Sequence, residues 1–306
     1  MRTTSSARLL GINFFTGSVE NAVERVITHA AAVRSARDAT HAERKETARI
    51  GEQGQDEDHT TATAILPPAL TAPARTTAAI LVVAPSAPGL AVDLVYAPAY
   101  REALTTADLA LTDSGFMVLL WRAFTGVNLP RLSGLKFMTA VLARAELKEP
   151  GAVFWVMPSA EEDQRNRAWL VSKGFPVTPA DVYLAPHYAT GDIVDEELVR
   201  RIEARKPRVV MLAIGGGVQE RLGLMLRARL HHPASILCLG AAIAFLSGGQ
   251  ANIPPWADRL ILGWLLRLAS NPRKFWRRYW EALALVLLLW RHRDRLPPLA
   301  IRRHSH

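Results

Sequence analysis

Residues 208–223 read RVVMLAIGGGVQERLG. Val209, Val210, Leu212 and Ile214 belong to an unbroken apolar run, Gly215, Gly216 and Gly217 interrupt it, and a helical pattern resumes from Gln219. That order is strand, tight turn, helix. Glycines at such a turn admit positive φ and a close backbone approach, and the N–H groups opening a helix favour an anion. A phosphate-bearing ligand suits that chemistry, although a plain strand-to-helix connection uses the same glycines. The polar pair Gln219 and Glu220, where the helix begins, tips the balance toward a ligand.

Outward from this stretch the pattern repeats. AILVVA from Ala79 leads to a helix from Ala99, DLALT to a helix from Gly115, AVFWVM to a helix from Ala160, and DVYLA to a helix from Asp195; SILCLG ends the series. Strands separated by helices need crossover connections, which predicts an α/β fold, a Rossmann-like and mainly parallel sheet with helices on both faces. Ligands of such sheets bind at the carboxyl ends of the strands. Residues 84–86, 113–115, 158–159, 186–187 and 215–219 therefore form one candidate rim. Before the series, Leu9 to Phe14 reads as a short strand, and Ser18 caps a helix whose Val19, Ala22, Val23, Val26, Ile27 and Ala30 keep helical spacing.

Four segments follow. Residues 1–32 start the Rossmann-like domain, and 33–78, charged and rich in Ala, Thr and Pro, read as a largely disordered insertion. Residues 79–257 carry the Rossmann-like domain, and 258–306 a basic amphipathic C-terminal appendage. From Arg259 onward eleven Lys and Arg residues face two acidic ones, so this tail carries the whole formal net charge of +9. Its arginines alternate with Trp264, Phe275, Trp276, Tyr279 and Trp280 and with a Leu-rich run, a mixture that suits an anionic membrane surface better than a nucleic acid.

The hydrophobic content of 49% is ample for a buried core. The one cysteine, Cys238 in ILCLG, reads as a core residue, and the lack of a disulfide framework fits a reducing cytoplasm. The N-terminus shows no signal-peptide pattern, and no stretch approaches the roughly 20 apolar residues of a membrane span. Secretion and a transmembrane anchor are not expected.

Asp113 follows the apolar run Leu109 to Leu111 and precedes Ser114 and Gly115, a position for a general base or for a cap of the next helix. Arg131 in PRLSGLKF, ahead of a Ser133 cap, could clamp a carboxylate or phosphate or form a surface ion pair. His187 has no second ligand at metal spacing, so no metal site and no cofactor are expected. No G-x-S-x-G, Walker or C-x-x-C pattern occurs.

The stretches LLGINFFTGSVENAVERV, ADLALTDSGFMVLLWR, RLSGLKF, AIGGGVQERL, GAAIAFLSGGQANIPPWADRLILGWLLRL and NPRKFWRRYW, in this order, resemble the WecG/TagA/CpsF glycosyltransferases, of which the chain looks like a divergent member. The resemblance implies a UDP-sugar donor, an N-acetylmannosamine-type sugar and a polyprenyl-diphosphate-linked acceptor at the inner face of the cytoplasmic membrane. Asp113 matches the family's catalytic aspartate, and Gln219 with Glu220 its Gln-Glu pair. Arg267, Arg273, Arg277 and Arg278 match arginines of an appendage that closes over the donor. Ser86, Ser114, Arg131, Gly215, Gly216 and Gly217 complete the expected substrate-binding set, with Ala84 and Ser86 standing where the family has Thr and Asn. Other departures are Ser114 for Gly, Gly217-Val218 for Pro-Lys, Asn252-Ile253 for Arg-Ala and Gly263 for Glu. They leave room for a catalytically altered nucleotide-sugar-binding protein. A nicotinamide-dependent oxidoreductase is the weaker rival, because no early G-x-G-x-x-G precedes an acidic residue. The sequence is compatible with a homo-oligomer.

Overall fold

The structure, a computed structural model, describes residues 6–31, 79–240, 242–249 and 280–300. The 33–78 insertion and the motif holding Arg267, Arg273, Arg277 and Arg278 lie outside the described residues.

Eight strands among the described residues form one sheet. They are β1 (Ser6–Leu9), β2 (Ile12–Phe15), β3 (Ile80–Val83), β4 (Leu109–Leu111), β5 (Val153–Met157), β6 (Val182–Leu184), β7 (Val209–Leu212) and β8 (Ser235–Cys238), in the spatial order β1-β2-β4-β3-β8-β7-β5-β6. Only β1 and β2 pair antiparallel; every other pairing is parallel. The expected α/β, Rossmann-like architecture is thus the observed one.

The crossovers are helical. Among the described residues the helices are, in chain order, α1 (19–31), α2 (Leu94–Tyr96), α3 (Pro98–Thr105), α4 (Gly115–Thr125), α5 (Gly134–Leu142), α6 (Ala160–Ser172), α7 (Glu196–Arg205), α8 (Val218–Arg229), α9 (Ala242–Leu246) and α10 (Ala284–His292). Successive strand residues point to opposite faces. Phe154, Val156, Val210 and Leu212 join one core with Tyr100, Met117, Leu198, Leu222 and Leu285 of α3, α4, α7, α8 and α10. Val153, Trp155, Met157 and Met211 join the other with Val26, Phe137, Leu170 and Ile243 of α1, α5, α6 and α9. Strands buried on both faces read as continuous apolar runs, which is why β5, β7 and β8 stand out in the sequence. Gly223 lets α8 lie close on β3 and β8, since a Cβ there would fall 2.7 Å from Cys238 Sγ and 2.8 Å from Leu81 Cδ1.

Two local readings change. The segment from Leu9 to Phe14 is a hairpin rather than one strand: Leu10 and Gly11 have φ of 48° and 78°, the positive pair that a two-residue type I′ turn requires. The tip is held from the far end of the chain, the Leu10 N–H donating to Arg293 O at 2.7 Å and the Gly11 N–H to Asp294 O at 2.9 Å. After β3, helical structure begins before Ala99, with a π-helical turn over Gly89–Asp93 running into α2. Pro88 and Gly89 blur the helical period there.

Candidate active site

Strand register aligns the carboxyl ends of β4, β3, β8 and β7: Val83 stands beside both Ala110 and Cys238, and Cys238 beside Leu212. The turns after these strands therefore share one rim.

On the β4 side, Thr112 is buried and its hydroxyl donates to Pro130 O at 2.6 Å while accepting from the Leu132 N–H at 3.0 Å. This ties the 126–133 loop to the strand end and brings Arg131 to Asp113, whose carbonyl accepts from Arg131 Nε at 3.2 Å. Ser114, not Asp113, caps α4, its hydroxyl accepting from the Met117 N–H, and Ser133 caps α5 likewise through Lys136. Asp113 Oδ1 instead accepts from the N–H of Gly134, the first residue of α5, at 2.8 Å. A Cβ placed on Gly134 would lie 3.4 Å from the Ala84 Cβ, 3.7 Å from Asp113 Oδ1 and 3.9 Å from Leu239 O. The ends of β3, β4 and β8 thus meet the start of α5 around the Asp113 carboxylate. Ser86 turns to capping, accepting from the Gly89 N–H at 3.4 Å.

On the β7 side, Gly215 and Gly216 are exposed on the rim. Of the three glycines only Gly217 has positive φ, +90°, so the conformational need for glycine is confined to that residue. Its N–H donates to Glu220 Oε2 at 2.6 Å, and Gln219 Nε2 donates to Glu220 Oε1 at 3.0 Å. Gln219 Oε1 accepts from the Gly240 N–H at 2.5 Å. Gln219 and Glu220 are 3% and 1% exposed, so their polar ends face the rim's own backbone. Burial pushes the Glu220 carboxyl up to about 7, the bonds from Gln219 and the Gly217 N–H pull it down, and nearby Asp93 raises it further.

Arg221, which the sequence reading passed over, is also buried. Its Nε donates to Gly217 O at 3.2 Å, and its Nη1 donates to Ala189 O at 3.0 Å and to Gly191 O. The signal available for it was position alone, four residues after Gly217 in the first turn of a helix.

Farther along the rim, Pro186 and His187 follow β6 at the sheet edge and line a cavity of about 470 Å³ with Tyr188, Asp192, Ile193 and Asp195. Asp195 caps α7 through the Leu198 N–H and accepts from the Tyr183 and Tyr188 hydroxyls. Burial and this carboxylate push Tyr183 up to about 12 and Tyr188 higher still. Ser159 caps α6. Cys238 is fully buried, its thiol pushed well above the ordinary range by burial, and donates to Gln219 O at 3.3 Å. Among the described residues no three His, Cys, Asp or Glu side chains gather as a metal-binding group.

A carboxylate at one strand end and an exposed glycine turn on the same rim can bind a phosphorylated ligand and remove a proton beside it. A model of the glycosyl transferase WecG/TagA/CpsF family matches residues 58–297. The N-acetylglucosaminyldiphosphoundecaprenol N-acetyl-beta-D-mannosaminyltransferase of Bacillus spizizenii is 26% identical over 206 residues, covering 67% of this chain and 77% of that relative.

Proposed function

The chain belongs to the glycosyl transferase WecG/TagA/CpsF family, and from that premise we propose that it moves an N-acetylmannosamine-type sugar from a UDP donor to a polyprenyl-diphosphate-linked acceptor in cell-surface polysaccharide synthesis. The observation that carries this reading is the placement of Asp113 and the glycine turn on one rim. They are separated by the ends of β3 and β8, and three strand spacings amount to about 14 Å. That span suits a sugar joined to a diphosphate. The activity for which the Bacillus spizizenii relative is named supports this sugar and this acceptor class.

In this reading the Asp113 carboxylate takes the proton of the acceptor hydroxyl as the hydroxyl oxygen attacks the anomeric carbon from the face opposite the diphosphate. The glycosidic C–O bond to UDP breaks, configuration inverts, and UDP leaves with the bonding electrons. Its charge is met without a metal ion by main-chain N–H groups of the glycine turn and by arginines. Arg131, held beside Asp113, stands at the sugar end of that span; Arg267, Arg273, Arg277 and Arg278 are the arginines that the family resemblance offers for the diphosphate.

The enzyme works in this reading as a peripheral protein on the inner face of the cytoplasmic membrane. Among the described residues no helix is long and apolar enough to cross a membrane. Trp280, Leu283, Leu287 and Trp290 are each at least half exposed and follow one another at helical spacing. Arg291, Arg293 and Arg295 come directly after them. Such a helix lies in an anionic interface.

The test is incubation with UDP-N-acetylmannosamine and a short-chain lipid-diphosphate N-acetylglucosamine, following release of UDP and the disaccharide lipid. Stoichiometric appearance of both supports the reading. UDP binding without transfer would mark a nucleotide-sugar-binding protein, and stabilisation by NAD rather than UDP would reject the family's chemistry for this chain.

A further inference from the structure

We propose that Arg221 is a positioning residue for the donor diphosphate, latching the loop after β6 against the glycine turn after β7; this rests on the donor reading above. Three successive side chains in the first turn of α8 point to three parts of the rim. Gln219 reaches Gly240 after β8, Glu220 reaches back to the Gly217 N–H, and Arg221 bonds Gly217 O together with Ala189 O and Gly191 O. Both polar main-chain groups of Gly217 are therefore held by side chains of the helix it opens. Fixing them fixes the peptide planes around the turn, and with them the direction in which the exposed Gly215 and Gly216 present their backbone.

The acceptors recorded for Arg221 are all main-chain carbonyls, and two belong to glycines with positive φ, Gly217 at +90° and Gly191 at +100°. Glycines lose the most conformational freedom when ordered, so these are the points at which each loop most needs an external restraint. A planar guanidinium donates along several directions at once, which lets one side chain serve two loops. A lysine retains the charge but presents a compact ammonium on a flexible stem, without the rigid fork that spans them.

The experiment compares wild type with Arg221→Lys, Arg221→Met and Gly191→Ala. No atom lies within 4 Å of a Cβ added at Gly191, so that substitution disturbs only the backbone at the latched carbonyl. Amide exchange over residues 186–194 is expected to quicken in all three. Donor KM and the UDP Kd should rise about tenfold as the turn loses its fixed orientation, while kcat stays within about threefold and acceptor KM is unchanged. Lysine should fall between arginine and methionine. The Arg221→Met, Gly191→Ala double variant should be no worse than Arg221→Met alone, because both break one latch.

Faster loop exchange with unchanged donor KM and UDP affinity would overturn the proposal and leave Arg221 a structural residue. Parallel losses in kcat and acceptor KM would overturn it too. If Arg221→Met fails to fold, Gly191→Ala decides by the same readouts. A wild type that binds neither UDP nor a UDP-sugar rejects the donor reading and this proposal together, whereas a wild type that binds while every variant binds equally rejects this proposal alone.

Discussion

Asp113 Oδ1 accepts the Gly134 N–H at 2.8 Å, so the carboxylate on the β4 end is aimed by the first residue of a helix 21 positions away. An asparagine can keep that bond through its amide oxygen but cannot take a proton from an acceptor hydroxyl. Asp113→Asn is therefore expected to fold with near-normal thermal stability, bind UDP normally and lose about 10²- to 10⁴-fold in turnover, the usual worth of a general base. Turnover within a few-fold of wild type would place the base elsewhere. Asp113→Ala removes the Gly134 contact as well and should additionally lower the melting temperature.

The glycine turn separates strain from contact. At Gly217 an alanine meets φ of +90° and puts its Cβ 3.0 Å from Asp93 Oδ2, so Gly217→Ala should cost about 1–3 kcal/mol of stability and weaken UDP binding. At Gly215 no atom lies within 4 Å of an added Cβ and φ is not positive. Gly215→Ala should leave stability unchanged and still weaken UDP, because the methyl stands on the exposed rim. Calorimetry that finds UDP affinity intact in the Gly215 variant would remove this turn as the phosphate cradle.

Glu220 gives a pH dependence with a definite sign. Its carboxyl rises from 4.5 to about 7 on folding, chiefly through burial. Between those values the native state binds more protons than the unfolded chain, so stability falls as pH rises through that window and levels off above about 7. The full rise corresponds to about 3 kcal/mol. A Glu220→Gln variant should lose this slope: its melting temperature, measured against wild type from pH 4.5 to 8, should gain on wild type as pH rises. Parallel curves would show that Glu220 does not titrate in this window.

The sequence exposed the parts of this fold that rest on local pattern. β5, β7 and β8 are apolar runs because both of their faces are covered, and Ser18 and Ser133 stand at helix starts as caps do. What stayed hidden depends on contacts distant in the chain. Leu10 and Gly11 form a turn whose tip is met by Arg293 and Asp294. Gln219 and Glu220 read as polar groups set toward a ligand and Arg221 drew no reading; only the closeness of Gly240, Gly217 and Ala189 shows which backbone groups they bond. Asp113 looked like a base or a cap of α4; the structure gives the cap to Ser114 and leaves the carboxylate facing α5. Periodicity records which face is apolar, but it carries no record of which backbone groups a polar side chain will find.

α10 has two apolar faces, and they predict opposite outcomes. Ala282, Leu285 and Leu289 are buried, and Leu285 and Leu289 belong to the core shared with α4 and α8. Beyond the helix, Arg101 Nη1 donates to Pro297 O at 2.5 Å and the Ala300 N–H to Val95 O at 3.0 Å. Removing this end of the chain would therefore damage the fold, and Leu289→Ala should cost about 2–5 kcal/mol. Leu287 and Trp290 are 59% and 62% exposed on the other face. A Leu287→Glu, Trp290→Glu double variant should keep its melting temperature while losing sedimentation with anionic vesicles and transfer to a vesicle-embedded acceptor. Transfer to a water-soluble acceptor should persist, because Asp113 and the glycine turn are untouched. Arg291→Gln with Arg295→Gln should weaken vesicle binding by about 1 kcal/mol per charge, an effect that fades as salt is added. Undiminished vesicle binding by the double glutamate variant at low salt would show that this face does not meet the membrane.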